Sequence, residues 1–160
     1  MSEKTKIVYC KDGKRKKDYP NIDFDFLGYT FKPRKAKDKQ SRTFLNFSPA
    51  VSRNSLKSMS DVIKSWYLHR RSNISLEEMA EHINPVIRGW IYYYGKYYKS
   101  ALLPILGQLY YRQLRWIESK YKLRSRNKAK DWLFNKMRED TELFVFWGWW
   151  LSKMGITRAV

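Results

Sequence analysis

The sequence has little of what disulfide-bonded, secreted and membrane-spanning proteins need. It contains one cysteine, Cys10, which excludes a disulfide within the chain and a zinc site built from cysteines. The polar N-terminus lacks the apolar run of a secretory signal, so we expect a bacterial cytoplasmic or organellar protein that is not secreted. The longest apolar run, residues 143–151, is too short for a bilayer, which needs about 20 residues, so no membrane partner is expected.

Acidic residues are scarce. Lys and Arg number 33 against 15 Asp and Glu, which gives a net charge of +18 on 160 residues. Such an excess repels itself, and a polyanionic partner such as nucleic acid relieves the repulsion. Because 43% of the residues are hydrophobic and 17% are aromatic, the chain can bury a core and is not a disordered basic tail.

Residues that commonly perform catalysis are also few. His69 and His82 are the only histidines, and no metal-ligand spacing accompanies His82. His69 lies beside Arg70 and Arg71, which disfavour an imidazolium and suit phosphate contact, but a surface residue at a helix end is the preferred interpretation. Asp23 and Asp25 are two apart and could share a metal ion, but charges that protect an edge strand from aggregation are the better interpretation. No glycine-rich phosphate loop or nucleophile elbow is present. The sequence therefore predicts no catalytic residues, no metal site and no cofactor in this chain.

The first part of the chain has strand patterns. Residues 4–10 contain strand formers, residues 24–31 (FDFLGYTF) alternate as one strand, and residues 43–47 form a short third strand. Basic loops separate them, the second over residues 32–42. We expect a small antiparallel β-hairpin or three-stranded sheet.

From residue 48 onward, apolar residues recur every three or four positions instead of every second one, and this spacing predicts helices. The first covers about residues 52–68, and Ser75 with Glu78 forms a capping box that opens the second. Pro85 lies inside the second pattern and predicts a kink or a break. Further helices follow, so the predicted fold class is mostly α, a helical bundle preceded by the small sheet. We expect one region over residues 1–47 and a helical domain over residues 48–160.

Basic side chains and a tyrosine fall opposite the apolar helix faces when the sequence is projected at about 100° per residue. Cations contact phosphates, a tyrosine can stack on an unpaired base, and Gly89 in the same sector lets a backbone come close. Trp90, Trp116 and Trp132 are instead assigned to the core. The predicted RNA-binding residues are Arg88, Tyr92, Lys96, Lys99, Arg112, Arg115, Lys120, Lys122, Arg124, Arg126, Lys128 and Lys130.

Several motifs in order give a family resemblance. They are FDFLGYTF, SPAVSRNSL, INPVIRGWIYYYG and RQLRWIESKYK, at residues 24–31, 48–56, 83–95 and 112–122. Together they resemble the C-terminal part of group II intron-encoded reverse transcriptase/maturases. The first looks like the end of the polymerase palm, and the third looks like the core of the maturase-specific domain, also called domain X or the thumb.

The resemblance implies a thumb-like helical domain that binds group II intron RNA and assists its folding and splicing, in a family linked to mRNA processing and intron mobility. The positions that match the family motifs are Arg88, Gly89, Trp90, Tyr94, Lys120 and Lys122. The family's polymerase aspartates have no counterpart in this sequence, so Mg²⁺ is expected only in the polymerase part of the parent protein. The alternative is the C-terminal half of a split RNA-directed DNA polymerase, which would need a separate fingers–palm partner and grip a template–primer duplex.

Overall fold

The computed structural model describes residues 6–14 and 17–155. Over these residues a three-stranded antiparallel sheet precedes a set of helices, which confirms the predicted fold class. Two short 3-10 helices, Leu68–Arg70 and Lys99–Leu102, flank the second α-helix. The strands and α-helices are β1 (Phe24–Phe26), β2 (Tyr29–Lys37), β3 (Thr43–Val51), α1 (Arg53–Ser65), α2 (Leu76–Tyr98), α3 (Leu103–Lys120), α4 (Arg126–Glu139) and α5 (Trp147–Lys153).

The predicted strand at residues 24–31 is in fact two strands joined by a tight turn. Leu27 and Gly28 have φ angles of 50° and 81°, and two consecutive positive values turn the chain back as in a two-residue hairpin. β1 therefore pairs with β2. The strand predicted at residues 4–10 was wrong for residues 6–10, which form no strand, and its first two residues lie outside the described residues.

The second basic loop is shorter than predicted. Residues 32–37 belong to β2 and pair with β3, and only residues 38–42 connect the two strands. The Asp38 carboxylate closes this connection by accepting the Arg42 and Gln40 backbone N–H groups at 2.8 and 2.9 Å, and the Arg42 guanidinium at 2.7 Å. These hydrogen bonds, led by the one from the Arg42 backbone, hold the pKa of Asp38 below its usual range.

β3 is longer than the predicted strand at residues 43–47. It continues to Val51 because residues 48–51 pair with the start of β2, and α1 begins only after its N-cap, Ser52. β3 thus ends four residues later than expected, whereas α1 begins at Arg53, close to the predicted start at residue 52. The predicted boundary between residues 47 and 48 falls inside the strand. Pro49 is tolerated there because β3 is at the edge of the sheet and pairs only with β2.

α2 begins with the predicted capping box and does not break at Pro85. The Ser75 hydroxyl accepts the Glu78 N–H at 3.1 Å, and the Glu78 carboxylate accepts the Ser75 N–H at 2.7 Å. The helix then runs without interruption to Tyr98. Burial of Ile83 and Ile87, on either side of the proline, offsets the backbone hydrogen bond that it removes.

The hydrophobic core lies among the helices. Trp116 of α3 is fully buried and donates its indole N–H to the Arg71 carbonyl at 2.9 Å. Trp147 of α5 is also fully buried and donates to the Gln113 amide oxygen at 3.1 Å. Other residues with 0% or 1% exposure are Ile63, Met79, Ile83, Ile87, Leu102, Leu109, Ile117, Ala129, Leu133, Met137, Phe144 and Phe146.

The sheet docks on the helices through its first turn. The Gly28 carbonyl accepts the Ser52 N–H at 2.8 Å and the Ser55 hydroxyl at 3.1 Å. Next to it, buried Tyr29 donates its hydroxyl to the Tyr93 carbonyl of α2. Burial, followed by the neighbouring tyrosines of α2, raises the pKa of Tyr29. These contacts fix the sheet against α1 and α2.

Replacing Gly28 by alanine should destabilise this junction. A Cβ at Gly28 would lie 2.9 Å from the Ser55 hydroxyl oxygen and 3.0 Å from a Tyr94 ring carbon. The left-handed backbone adds about 1–2 kcal/mol of strain for a residue with a Cβ, so we expect a total loss of about 2–3 kcal/mol in urea unfolding. Gly13→Ala is the matched control, because its Cβ would meet nothing within 4 Å. Equal stabilities for the two variants would contradict the docking described here.

Candidate nucleic-acid interface

One exposed row of side chains runs along α2. Arg88, Tyr92, Lys96 and Lys99 are all exposed, and the Tyr92 side chain is 85% exposed. The opposite face of the same helix, which includes Met79, is buried. The structure therefore places this row, called the α2 row below, on the side that the helical projection indicated.

Neighbouring aromatic rings orient two lysines of the α2 row. The Lys96 ammonium lies 5.7 Å from the centre of the Tyr97 ring, and the Lys99 ammonium lies 4.6 Å from the Trp149 ring of α5. Both distances are within the range of cation–π attraction. The row thus ends at Lys99, in the 3-10 helix that follows α2, beside Trp149 of α5.

A second set of cations lies on α3, on α4 and on the connection between them. Most are exposed, while Arg112, Lys120 and Arg126 are half-buried. The α3–α4 group, as it is called below, consists of Arg112, Arg115, Lys120, Lys122, Arg124, Arg126, Lys128 and Lys130.

Two members of the α3–α4 group have internal partners. The Lys120 ammonium donates to the Ile74 carbonyl and lies 5.0 Å from the Trp116 ring. The Arg126 guanidinium binds the Glu118 carboxylate through two nitrogens, at 2.6 and 3.1 Å, and lies over the Tyr111 ring. These contacts give Lys120 and Arg126 a structural role that the sequence pattern did not reveal.

Lys122 occupies a special backbone position just after α3. Its φ is 53°, and the next residue, Leu123, donates its N–H to the Glu118 carbonyl at 3.0 Å. This hydrogen bond spans six residues and ends the helix. At the position that Lys122 occupies in such a helix end, glycine is preferred. Lys122→Gly therefore removes the charge of an exposed side chain and relieves backbone strain at once.

Exposed tyrosines extend this surface beyond the predicted residues. Tyr97 and Tyr98 are 59% and 44% exposed, and the Arg34 guanidinium of β2 lies 5.5 Å from the Tyr98 ring. The signal in the sequence was the run YYYGKYY at residues 92–98. Seven consecutive residues cover every side of an α-helix, so these tyrosines could not all face the core.

The three tryptophans assigned to the core do not share one environment. Trp116 is fully buried as predicted, whereas Trp90 and Trp132 are half-buried. Trp90 stacks on Trp66, the residue just after α1, at 6.2 Å between ring centres, and Trp132 packs on Tyr121 at 5.1 Å. Only Trp116 is a fully enclosed core residue.

The part of the chain that the structure describes lacks a metal-ion cluster and a membrane-spanning helix. No cluster of three or more His, Cys, Asp or Glu side chains there could hold a metal ion. The Asp25 carboxylate accepts the hydroxyl of Thr30 on the neighbouring strand, a contact within the sheet. None of the described helices has the length and apolar character needed to cross a bilayer.

The fold and its surface define a basic helical domain with exposed tyrosines and a small docked sheet. The family model of the group II intron maturase-specific domain matches residues 56–134. This range runs from α1 into α4 and includes every predicted RNA-binding residue. Residues 56–134 are thus a group II intron maturase-specific domain, which confirms the resemblance seen in the sequence. No curated protein and no solved structure matches the chain.

Proposed function

We propose that this chain binds group II intron RNA through the α2 row and the α3–α4 group and assists the folding and splicing of that RNA. One observation carries the proposal: Tyr92 is 85% exposed and has the exposed cations Arg88 and Lys96 one helical turn away on either side. Cations separated by a tyrosine suit an unpaired RNA strand, because phosphates meet the charges and a base stacks on the ring.

The charge of the chain supplies a physical reason for assistance in folding. Closely packed RNA helices bring phosphates together, and their repulsion opposes the folded state. A protein with a net charge of +18 that contacts those phosphates replaces condensed counterions and lowers the repulsion. Compact intron RNA is then favoured over the extended form.

A splicing assay tests this function. A self-splicing group II intron is held at a Mg²⁺ concentration at which the RNA alone splices slowly, and the purified chain is added. We expect splicing to accelerate with the wild-type chain and to remain slow with a Tyr92→Ala variant that is equally folded. No acceleration at protein concentrations that saturate the RNA would contradict the proposal.

The sheet favours a second function, a subunit of a split reverse transcriptase. Its apolar side chains Phe26, Leu27 and Phe44 are 59%, 68% and 46% exposed, and such a surface suits contact with another protein. We expect no primer extension by the chain alone with Mg²⁺ or Mn²⁺, because the family's polymerase aspartates have no counterpart in this sequence. Extension that begins only after a fingers–palm fragment is added would support this second function.

Gly89 gives a prediction in which stability and binding move in opposite directions. It lies exposed in the middle of α2, and a Cβ added there meets nothing within 4 Å. Gly89→Ala should therefore stabilise the chain in urea unfolding by about 0.5–1 kcal/mol, the helix preference of alanine over glycine. The same variant should bind intron RNA more weakly, because the new methyl group keeps the RNA backbone away. Unchanged affinity would show that no backbone approaches α2 at this point.

A further inference from the structure

The short 3-10 helix Leu68–Arg70 is held firmly against α3. The loop that follows it is bound twice, by the hydrogen bond from Trp116 to the Arg71 carbonyl and by that from Lys120 to the Ile74 carbonyl. Because both donors belong to α3, the side chains on this short helix have fixed positions relative to α3.

Four nitrogen-bearing side chains meet at this junction. His69 and Arg70 come from the short helix, and Arg112 and Arg115 come from α3. Burial, followed by the charges of Arg115, Arg70 and Arg112, lowers the pKa of His69. The His69 Nδ1 atom is buried and has no hydrogen-bond partner.

No acidic side chain neutralises the charge of these three arginines in the part of the chain that the structure describes. Among residues 6–14 and 17–155, no carboxylate lies within ion-pair distance of Arg70, Arg112 or Arg115. Nearby, Arg126 at the start of α4 is paired with Glu118 of α3, whereas these three arginines have no such partner. Clustered guanidinium groups without a carboxylate repel one another, and a bound anion would remove that cost.

Tyr67 presents its ring beside the cluster. The ring is 54% exposed, the Arg70 guanidinium lies 5.5 Å from its centre, and the His69 ring centre is 6.4 Å away. Tyr67 also has a φ of 48°, a conformation that costs a residue with a Cβ about 1–2 kcal/mol. Strain of this kind is concentrated at functional sites.

We propose that His69, Arg70, Arg112 and Arg115 bind one phosphate of an unpaired RNA strand and that the adjoining base stacks on Tyr67. The proposal rests on the RNA-binding function and adds three residues, Tyr67, His69 and Arg70, to the predicted interface. Guanidinium groups bind phosphate through paired N–H donors. An exposed tyrosine next to a phosphate site is the arrangement by which single strands are held.

A change in protonation should accompany binding. Without RNA, burial and then the arginines disfavour the imidazolium and lower the pKa of His69, so the ring is neutral near pH 7. A phosphate among them offsets part of the positive field and raises the pKa of His69, so binding takes up a proton. Affinity should therefore rise as the pH falls through the RNA-bound pKa, and it should level off below the lower pKa of the free protein.

Proton NMR of the His69 ring tests the site directly. The full chain carries His82→Gln, so that one imidazole remains, and it is titrated with pH alone, with a single-stranded oligouridylate and with inorganic phosphate. We expect the His69 titration to move to higher pH with the oligonucleotide, and about tenfold tighter binding at low than at high pH for each unit of that shift. RNA binding without a shift would overturn the site and leave the RNA-binding function intact. If the oligonucleotide does not bind, the site proposed here for an unpaired strand is overturned, whereas the RNA-binding function is tested separately by binding of intron RNA; the phosphate titration then decides whether an anion site exists.

Matched variants separate this site from general charge. Arg70→Gln should lower affinity for the oligonucleotide about threefold to fivefold at 0.15 M salt and reduce the log–log salt slope by about 0.7, the value of one single-strand contact. Arg71→Gln removes the neighbouring exposed charge and should stay within about twofold of wild type, because long-range effects are screened. Tyr67→Ala should lower affinity about fivefold or more without changing the slope. Equal losses for Arg70→Gln and Arg71→Gln would overturn the proposal.

Discussion

Replacing Arg88, Lys96, Arg115 and Lys122 together by glutamine should weaken RNA binding about a hundredfold to a thousandfold at 0.15 M salt. Each phosphate contact contributes about 0.7–0.9 to the slope of log affinity against log salt concentration, so four lost contacts flatten the slope by about 3. All four side chains are exposed, and truncating their charges disturbs no core packing. The measurement is filter binding of intron RNA at several salt concentrations.

A second quadruple variant controls for total charge. Lys37, Lys39, Lys57 and Lys153 are also exposed and lie outside the α2 row and the α3–α4 group. Their replacement by glutamine removes the same four charges, and we expect a much smaller loss, since distant surface charges are largely screened at this salt concentration. Similar losses for the two variants would show that affinity follows net charge and not position. Lys122→Gly can replace the glutamine if the first variant proves less stable.

Replacing Trp116 by alanine should destabilise the chain by about 3–5 kcal/mol, the usual cost of truncating a large core side chain. The residue has 0% exposure, and its indole N–H satisfies the Arg71 carbonyl, so the variant loses packing and a hydrogen bond. Because small domains are stable by about 5–15 kcal/mol, this loss is a large part of the free energy of unfolding. Urea unfolding followed by circular dichroism measures the loss.

Trp90→Ala is the matched control for Trp116→Ala. Trp90 is only half-buried and stacks on Trp66 at the edge of the core, so we expect about half the loss, since less apolar surface returns to water. Trp116→Phe separates the two contributions in Trp116, because it keeps an aromatic ring and removes the donor to Arg71. Equal unfolding midpoints for Trp116→Ala and the wild-type chain would place Trp116 outside the core.

The helices were more predictable from the sequence than the sheet was. Their apolar period and the Ser75–Glu78 capping box are local signals, and both are found in the structure. The strand boundaries depend on distant partners: residues 48–51 are extended because they pair with residues 29–32. The turn at Leu27 and Gly28 was missed because leucine seldom adopts a positive φ.

The predicted interface shows the same division between local and distant information. Helical phase was enough to predict that Arg88, Tyr92 and Lys96 are exposed. It could not show that Lys120 donates to the Ile74 carbonyl, because these residues are 46 positions apart. At His69 the sequence showed only the neighbouring Arg70 and Arg71. It could not show the two arginines that α3 adds to the cluster, because they are far from His69 along the chain.

The central claim is that the α2 row and the α3–α4 group recognise folded intron RNA and not polyanions in general. Competition binding tests it most directly: labelled group II intron RNA is displaced from the wild-type chain by unlabelled intron RNA, by random duplex RNA of equal length or by heparin. Because shape and unpaired bases carry specificity in RNA, intron RNA should be the most effective competitor per phosphate by about tenfold or more, which corresponds to about 1.4 kcal/mol. Equal competition by heparin per unit charge would contradict the claim.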